Sequence, residues 1–540
     1  MGLSDLFTDS LGRLGLGGPF GRRRSRASRL VAPLAEDIYT GVVHVDGRRV
    51  EIGDGSPFVA PERDPAVEAF LNGFSFLRHL SAADTRVART NARALLDDWW
   101  RAGRALPRVA FAPEVVARRL RSFLSAAPSL LADAPPAFED RFLASLSDHV
   151  RQVATLVRTL PSSPDRLEAA IAFAAAGATL DLPGDVVRRA GETLAAELER
   201  EVLPDGGPRT RRPDDLLDIL AAVLPVLEAL AETGRTLPPA ALRAVDRMVP
   251  MLAFFRGADG AFARFNGTGP TRGALLATVL DAATAEGVAP QNARYAGYQR
   301  FEAGGVVVLM DTGVPPPSAF SARAHAGTLS FELSDAAGPI VGNVGAMPAS
   351  SGSEIGVTAR STAAHSTLVV ADTSSARIRR ARPDRFGRTP HLVGDGPTAV
   401  AVARRDREGG TVVKASHDGY RRPFGLVHER TLALAPDGAS LAGRDSLSGP
   451  GIDRDLPFAV RFHLGPGIKT SPSPSGHAVL LTTPAGTIWR FSAEAPAAVA
   501  IEDGIAVDRN GVVGPARQIV ASATTGATVV VRWRLERQLA

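Results

Sequence analysis

The sequence predicts an α+β multidomain protein, in which an array or toroid of helical hairpins precedes a large antiparallel β-sandwich. Three observations predict this fold class. A chain of 540 residues is too long for a single hydrophobic core. Apolar residues recur at helical spacing from about residue 65 to 285, and they alternate with polar residues after about 290. We therefore expect a leader over 1–64, a helical domain over 65–288 and a β domain over 289–540.

The helical half is clearest in the segment DDLLDILAAVLPVLEAL. Its residues Leu216, Leu220 and Val223 recur at spacings of four and three, which places them on one helix face. Pro225 lies in the same segment and predicts a kink or a break, because proline has no backbone N–H and its ring clashes with the preceding turn. Breaks such as LPSSP and LPDGGP separate further helical stretches of similar length, which indicates stacked helical hairpins.

The second half consists of short alternating runs such as GTLSFELS, HSTLVVAD and ATVVVRWRL. Turn signals such as PDG and PAG separate these runs, and this pattern is typical of a large antiparallel sandwich. The leader is rich in glycine and contains the strand-like piece GVVHVDGRRVEI. Its basic run GRRRSRASR, at 21–29, is interpreted as a solvated tail.

Composition excludes several classes of chemistry. The chain has no cysteine, so disulfides, thiolate zinc sites and cysteine nucleophiles are excluded. The net charge of +5 is small for this length, and nucleic acid is therefore not expected as a main partner. No apolar run approaches the ~20 residues needed to cross a bilayer, so no transmembrane segment is expected. No GxxxxGK[ST] loop occurs, and no nucleotide cofactor is expected.

Two histidine-bearing segments form the first candidate site. His325 precedes the alternating run GTLSFELS, and His365 begins the run HSTLVVAD. Asn343 follows a third apolar run between them. Two imidazoles and one oxygen ligand could hold one divalent metal, with zinc or calcium distinguished by ligand softness. The alternative is a buried polar network that joins the strands.

Two further clusters carry polar side chains. The segment HDGYRRPFGLVHERTLAL contains His417 and Tyr420 beside arginines, and such a setting favours a general base. The alternative is a turn followed by a strand whose charged side chains face solvent. The loop FFRGADGAFARFNGTGP carries Arg256, Arg264 and Asn266 at the end of the helical half, where it could line a cleft between domains.

In their order along the chain, the helical half and the segments YAGYQRFEAGG, RAHAGTLSFELS, RSTAAHSTLVVADTSSARI and HDGYRRPFGLVHERTLAL resemble the heparinase II/III-like family of polysaccharide lyases. The resemblance covers roughly residues 65–535 and is most specific from 295 to 435. It implies an (α/α) toroid packed against a β-sandwich, with a glycan cleft along the junction. It also implies a uronate-containing acidic polysaccharide as the partner, and a location in the cell envelope or periplasm.

Members of this family cleave such glycans by β-elimination. The reaction must neutralise the uronate carboxylate, remove the weakly acidic proton on carbon 5 and protonate the leaving oxygen. At the family's first histidine, the one associated with catalysis, this sequence has Arg323. The resemblance assigns His325 and His365 to metal-ligand positions, whereas Gly327 and Asn343 stand where the family has aspartates.

The helical half offers no counterpart of the family's catalytic tyrosine, because no tyrosine occurs between Tyr39 and Tyr295. No apolar segment follows Arg22–Arg24, so no signal peptide is visible and a cytoplasmic location stays open.

Two main hypotheses follow. The first is a polysaccharide lyase in which arginines contact carboxylates and a histidine replaces the missing base. The second is a non-catalytic relative that binds an anionic envelope or capsular glycan or assists its biosynthesis. A hydrolase would need paired carboxylates, for which Asp259 and Glu332 are the candidates. The candidate catalytic residues are Arg323, His325, Arg264, Asn266 and His417, and the candidate substrate-binding residues are Arg211, Arg256, Arg360 and Tyr420.

Overall fold

The structure is a computed structural model that describes residues 33–45, 48–53, 55–59, 64–283, 289–347 and 354–538. The basic run at 21–29 lies outside these residues. The helices are α1 Pro33–Tyr39, α2 Pro65–Asn72, α3 Leu77–Ala83, α4 Arg86–Ala102, α5 Pro113–Leu131, α6 Pro136–Thr159, α7 Pro164–Thr179, α8 Gly184–Glu201, α9 Pro213–Glu232, α10 Pro239–Phe254, α11 Gly273–Ala282, α12 Glu354–Thr358 and α13 Arg421–Phe424. None of these described helices is both long enough and apolar enough to cross a membrane.

The strands form small hairpins and two large sheets. They are β1 Val42–Val45, β2 Arg48–Glu51, β3 Asn292–Ala293, β4 Tyr298–Ala303, β5 Val306–Asp311, β6 Phe331–Asp335, β7 Gly338–Gly342, β8 Leu368–Val370, β9 Arg377–Arg380, β10 His391–Gly394, β11 Val400–Arg407, β12 Gly410–His417, β13 Val427–Leu434, β14 Ser440–Ser448, β15 Pro457–Leu464, β16 Lys469–Pro472, β17 Ala478–Thr482, β18 Ile488–Ala493, β19 Ala498–Val507, β20 Val513–Thr524 and β21 Val530–Arg537.

The helical domain packs around α7, which is buried along most of its length from Leu167 to Ala178. This helix is rich in alanine, and its neighbours α5, α6, α8 and α9 can therefore approach it closely. Six helices of this domain begin with proline, which fits the first helical turn because that turn needs no N–H donor there. Pro225 lies inside the single helix α9. The predicted alternative of a break at this proline is therefore wrong, because the buried leucines on both sides hold one continuous helix against the core.

The β domain is a pair of antiparallel sheets packed face to face. The strand order is β11-β12-β13-β14-β21-β18-β17-β16 in one sheet and β19-β20-β15-β7-β6-β5-β4-β3 in the other, where β8 also pairs with β15. Alternate residues of β13 are buried, as expected for a strand with one face on the core. Phe331 of one sheet stacks on Trp533 of the other, and Phe462 packs against Trp533 edge to face. The helical domain and the β-sandwich together confirm the predicted fold class, an α+β multidomain protein.

The residues before the helical domain also form structure. Strands β1 and β2 pair as an antiparallel hairpin in the strand-like piece seen in the sequence. Ile38 of α1 and Val43 of β1 are buried in the same apolar cluster as the helical domain. This segment therefore packs on the helices.

One hairpin links the β domain to the helical domain. We call residues 374–397 the arginine hairpin, in which β9 pairs with β10. At its base, the backbone N–H of Val393 donates to Ser321 Oγ at 3.1 Å. At its tip, Arg388 donates to Glu114 of α5 at 2.6 Å and to Asp165 of α7 at 2.9 Å. The arginine hairpin therefore spans the junction between the domains.

Candidate functional site

The predicted histidine pair lies at the junction between the two domains, and the structure brings its members together. His325 Nδ1 lies 3.0 Å from His365 Nε2, and the rings are nearly perpendicular. His365 Nδ1 lies 2.7 Å from the carbonyl oxygen of Ser361, so Nδ1 carries the proton and donates to that carbonyl. His365 Nε2 must then accept from His325 Nδ1. The Nε2 atom of His325 consequently keeps its lone pair.

Burial keeps both rings of this pair neutral. His325 is 5% exposed and His365 is 1% exposed. Burial lowers the pKa of His325 well below its usual value, and the neighbouring His365 and Arg360 lower this pKa further. Burial also lowers the pKa of His365, to about 4, against the opposing effect of the hydrogen bond to Ser361. The pair therefore carries no charge at neutral pH.

The third predicted metal ligand, Asn343, has other partners. Its Oδ1 accepts from the backbone N–H of Ser366 at 3.0 Å, and its Nδ2 donates to Glu332 Oε1 at 2.9 Å. Within the described part of the chain, no group of three or more histidine, aspartate or glutamate side chains is placed to hold a metal ion. Of the two imidazoles only His325 keeps a free lone pair, and the carboxamide of Asn343 is engaged, so these three residues do not fit a divalent ion, which needs several free lone pairs. The geometry instead matches the alternative of a buried polar network. The zinc or calcium ion stays a prediction.

The positions that the family resemblance marks as changed lie around this pair. Gly327 packs directly on the His365 ring, because a Cβ atom added to Gly327 would lie 2.7 Å from His365 Cδ2. An aspartate therefore has no room at this position without movement of the ring. Arg323, at the family's first histidine, is exposed.

Asn266 holds the segment that carries His325. Its Oδ1 accepts from the backbone N–H of His325 at 3.2 Å, and its Nδ2 donates to the hydroxyl of Tyr298 at 2.7 Å. The Tyr298 hydroxyl donates in turn to the carbonyl oxygen of Arg211 at 2.6 Å. Asn266 has a φ of 49°, which asparagine adopts more readily than most residues. Both the oxygen and the nitrogen of this buried side-chain amide are therefore hydrogen-bonded within the protein.

Arg211 joins the two domains. Its guanidinium donates to the carbonyl oxygens of Ala296, Gly297 and Val314 at 2.8, 3.0 and 2.9 Å. It also donates to Asp311 Oδ1 at 2.6 Å. The side chain is buried, with its guanidinium over the Tyr298 ring. Every terminal nitrogen of Arg211 therefore has an internal partner.

The candidate catalytic residue Arg264 and the candidate substrate-binding residues Arg256 and Arg360 also bind backbone carbonyls. Arg264 donates to the carbonyl oxygens of Val507 and Asp508 in the β19–β20 turn. Arg256 Nε donates to the carbonyl oxygen of Gly260 at 3.1 Å.

Arg360 donates to the carbonyl oxygens of Ala324 and His391, each at 2.8 Å. Burial lowers its pKa to about 10. These contacts hold the loops of the junction in place.

His417 lies in a second buried network, inside the β domain. Its Nδ1 accepts from the backbone N–H of Gly419 at 3.0 Å, so its Nε2 carries the proton and donates to His428 Nδ1 at 3.3 Å. His428 Nε2 donates to Asp445 Oδ1 at 2.8 Å. Burial lowers the pKa of His417 and of His428. All nitrogens of this chain of hydrogen bonds are engaged away from solvent.

Asp445 completes that network. Its carboxylate also accepts from Arg430 Nε at 2.8 Å and from Trp533 Nε1 at 2.9 Å. Burial alone would raise the pKa of Asp445, but Arg430 and His428 hold this pKa well below its usual range. Arg430 also donates to the carbonyl oxygen of Ser366 at 2.7 Å, which ties this network to the loop that follows His365.

Tyr420 is fully buried, and its hydroxyl donates to the carbonyl oxygen of Leu368 at 2.9 Å. Burial raises the pKa of this phenol well above its usual value. Tyr420 is therefore held as a neutral donor inside the β domain.

The two carboxylates considered for a hydrolase differ in setting. Glu332 Oε1 accepts from the backbone N–H groups of Arg264 and Asn343 at 3.0 and 3.2 Å. Burial raises the pKa of Glu332 to about 7, although Arg264 opposes this rise. Asp259 is exposed and accepts from the N–H of Ala261 in its own turn at 3.1 Å. No contact between Asp259 and Glu332 is seen among the described residues.

Comparison with known proteins identifies the class. A sequence profile described as heparinase II/III-like, C-terminal, matches residues 286–534. The chain belongs to the heparinase II/III-like family, as the motifs in its second half predicted. FtsZ-localized protein C from Caulobacter vibrioides (strain NA1000 / CB15N) is 33% identical to it over 519 residues, which cover 93% of this chain and 87% of the relative.

Solved structures with a similar fold are polysaccharide lyases. The crystal structure of heparinase III superposes with a TM-score of 0.75 at 14% identity, over 95% of this chain and 85% of that chain. Heparan sulfate lyase HepC from Pedobacter heparinus gives a TM-score of 0.63 at 15% identity, over 100% of this chain and 88% of that chain. At these identities the likeness extends to the fold alone.

Proposed function

We propose that this chain is a non-catalytic member of the heparinase II/III-like family that localizes with FtsZ. The observation that carries the proposal is the engagement of the titratable side chains predicted to move a proton. His417 and Tyr420 are buried and hydrogen-bonded inside the β domain. Arg323 is exposed, but a guanidinium stays protonated and cannot accept a proton at neutral pH. The name of the Caulobacter relative supports the localization with FtsZ.

His325 is the strongest remaining candidate for a base, because its Nε2 keeps a lone pair. However, burial and the neighbouring His365 lower its pKa well below the usual value. A base of low pKa has little driving force to remove a weakly acidic proton from carbon. The lone pair of His325 is nevertheless the observation that favours a second candidate function, a polysaccharide lyase that cleaves a uronate-containing glycan by β-elimination.

The predicted substrate-binding arginines lend little support to an acidic glycan at the junction. Arg211, Arg264 and Arg360 donate to groups of the protein itself. A glycan carboxylate would have to displace these internal bonds, and an unpaired buried carbonyl is costly. Binding of an anionic envelope or capsular glycan thus rests on the family and on the exposed Arg323.

The first experiment is an ultraviolet absorbance assay for the unsaturated uronate product. The full-length protein is incubated with a panel of acidic glycans, with and without added zinc or calcium. No absorbance change on any glycan is the expected result. A rise that is lost in His325→Ala, but kept in the exposed control Arg509→Ala, would overturn the proposal in favour of the lyase.

The second experiment tests localization. A fluorescent fusion of the full-length chain is imaged together with labelled FtsZ in growing bacterial cells. Co-localization is expected, and it should persist in His325→Ala because the proposal assigns no chemistry to that residue. A fusion that stays separate from FtsZ would contradict the proposal, whatever the absorbance assay gives.

A further inference from the structure

The arginine hairpin carries a dense positive charge outside the histidine pair. Residues 374–397 contain six arginines and two aspartates, and no lysine or glutamate. Arg377, Arg379, Arg380, Arg382 and Arg385 are exposed. Like charges at this density repel one another, so such a surface is stabilised when an anion binds it.

The carboxylates of the hairpin neutralise only part of this charge. Asp384 pairs with Arg388 at 2.7 Å, and Asp395 pairs with Arg379. Within the described residues, no ion pair is formed by Arg377, Arg380, Arg382 or Arg385, but the Arg385 guanidinium lies over the Phe386 ring, which leaves Arg377, Arg380 and Arg382. These three guanidinium groups are the open positions of the surface.

The positive charge of the hairpin also acts on its own histidine, His391. His391 of β10 pairs with Arg380 of β9 in the strand register. Burial lowers the pKa of His391, and the charges of Arg360 and Arg380 lower it further. Arg360 donates to the carbonyl oxygen of His391, so its charge lies against the hairpin. The positive charge thus extends from the hairpin into the adjoining loop.

The arginine hairpin already binds protein carboxylates within this chain. Arg388 contacts Glu114, Asp165 and Asp384 at the tip. Asp395 is shared between Arg379 and Arg422, the latter at 3.6 Å. The planar fork of a guanidinium matches the two oxygens of a carboxylate better than an ammonium does. Side chains of aspartate and glutamate are therefore suitable ligands for the three open arginines.

The apolar residues argue against a lipid surface. The large hydrophobic residues that are exposed in the described chain all lie outside residues 374–397. A peripheral membrane site ordinarily combines basic residues with apolar ones that enter the interface. The hairpin offers charge alone.

We infer that the arginine hairpin is a docking surface for an acidic polypeptide segment, with Arg377, Arg380 and Arg382 as its main contacts. The partner is a segment rich in aspartate and glutamate that lies along the exposed ribbon. Its attraction is mainly electrostatic, so binding weakens as salt concentration rises. This inference holds whether or not the junction is catalytic.

The test uses fluorescein-labelled poly-L-glutamate and the full-length protein, with binding followed by fluorescence anisotropy. The triple variant Arg377→Ser, Arg380→Ser and Arg382→Ser removes the open positions. The control variant Arg86→Ser, Arg104→Ser and Arg509→Ser removes the same charge from exposed sites elsewhere. Circular dichroism verifies that both variants are folded.

We expect the hairpin variant to bind about tenfold more weakly, as three exposed ion pairs of ordinary strength would give. The control variant should bind like the parent protein. Equal weakening in both variants would overturn the inference, because only net charge would then matter. No binding of poly-L-glutamate would overturn it as well. Tighter hairpin-dependent binding of heparin oligosaccharides or of phosphatidylglycerol vesicles would overturn it in favour of a glycan or a membrane.

Discussion

Several histidines are buried as neutral rings, and their contribution to the stability of the protein is therefore expected to fall on acidification, whereas Glu332 and Glu201, whose pKa values are raised by burial, contribute in the opposite direction. In the helical domain, His149 Nε2 accepts from Arg119 Nε at 2.8 Å. Burial lowers the pKa of His149 to about 3, and Arg119 lowers it further. In the β domain, burial lowers the pKa of His463 to about 4. His417 and His428 have pKa values lowered in the same direction.

The direction of this change in stability with pH follows from the number of protons that the folded and the unfolded states bind. Between the folded pKa and the unfolded value of ~6.5, the unfolded chain binds protons that the folded protein does not, so stability falls as pH falls. For a folded pKa of about 4, as in His463, the loss between about pH 7 and about pH 5.5 is ~1.2 kcal/mol. His149 adds a similar amount, which makes ~2.5 kcal/mol for the two. His417 and His428 increase the loss.

Urea unfolding at a series of pH values measures this effect. The free energy of unfolding of the parent protein minus that of His463→Gln isolates one ring, and this difference should be flat above the unfolded histidine pKa and should fall steadily below it. His463→Gln keeps a donor for the carbonyl of Ala363 and removes one titrating ring, so between about pH 7 and about pH 5.5 it should lack the ~1.2 kcal/mol loss assigned to His463. His477→Gln, at an exposed histidine, is the matched control and should leave the slope unchanged. A difference between the parent protein and His463→Gln that does not change between about pH 7 and about pH 5.5 would refute the reasoning.

Three further predictions concern stability. Asp445→Asn should lower the free energy of unfolding by about 3–5 kcal/mol in urea, because it leaves the Arg430 guanidinium buried without its counter-charge. Arg388→Ala should cost about 1–2 kcal/mol and should raise amide hydrogen exchange within residues 377–394, because it releases the hairpin tip. Gly327→Ala should cost about 1–3 kcal/mol in thermal unfolding, because its methyl group would lie 2.7 Å from a carbon of the His365 ring.

The changes at Arg388 and Gly327 each have a matched control. Arg188→Ala removes an exposed pair with Glu192 and should change stability by no more than about 0.5 kcal/mol. Gly184→Ala places a methyl group in open space and should be close to neutral. A loss below about 1 kcal/mol in Asp445→Asn would contradict the assignment of a charged buried network. Unchanged hydrogen exchange in Arg388→Ala would contradict the role given to the tip.

The order and type of the elements could be predicted because the spacing of apolar residues shows which residues share the buried face of a helix or strand. The alternation in VHERTLAL predicts a half-buried strand, and β13 has that burial pattern. Pro225 shows the limit of this reasoning. A proline penalty is local, whereas the packing of leucines on both sides of α9 comes from other helices and is invisible to a local pattern.

The candidate site was harder to predict. His325 and His365 lie close together, as the candidate site expected, although β6 pairs with β5 and β7 whereas β8 pairs with β15. What a pattern cannot give is the partner of each polar atom. Arg211 was a candidate substrate-binding residue, yet its nitrogens donate to Ala296, Val314 and Asp311, about a hundred residues away in sequence. Asp445 carried no motif at all.

The long reach of the arginine hairpin affects how the chain folds as it is synthesised. Arg388 and Glu114 are 274 residues apart in sequence, so Glu114 leaves the ribosome long before its counter-ion. Burial and the neighbouring Asp165 raise the pKa of Glu114, which means that its charge is costly until Arg388 arrives. The start of α5, which carries Glu114, is thus expected to stay unprotected in the nascent helical domain. Proteolysis of ribosome-bound chains of increasing length would detect this lack of protection. Full protection of α5 before residue 388 has emerged would contradict this order. Docking of the arginine hairpin onto the helical domain is therefore a late folding step, because it needs residues from both halves of the protein.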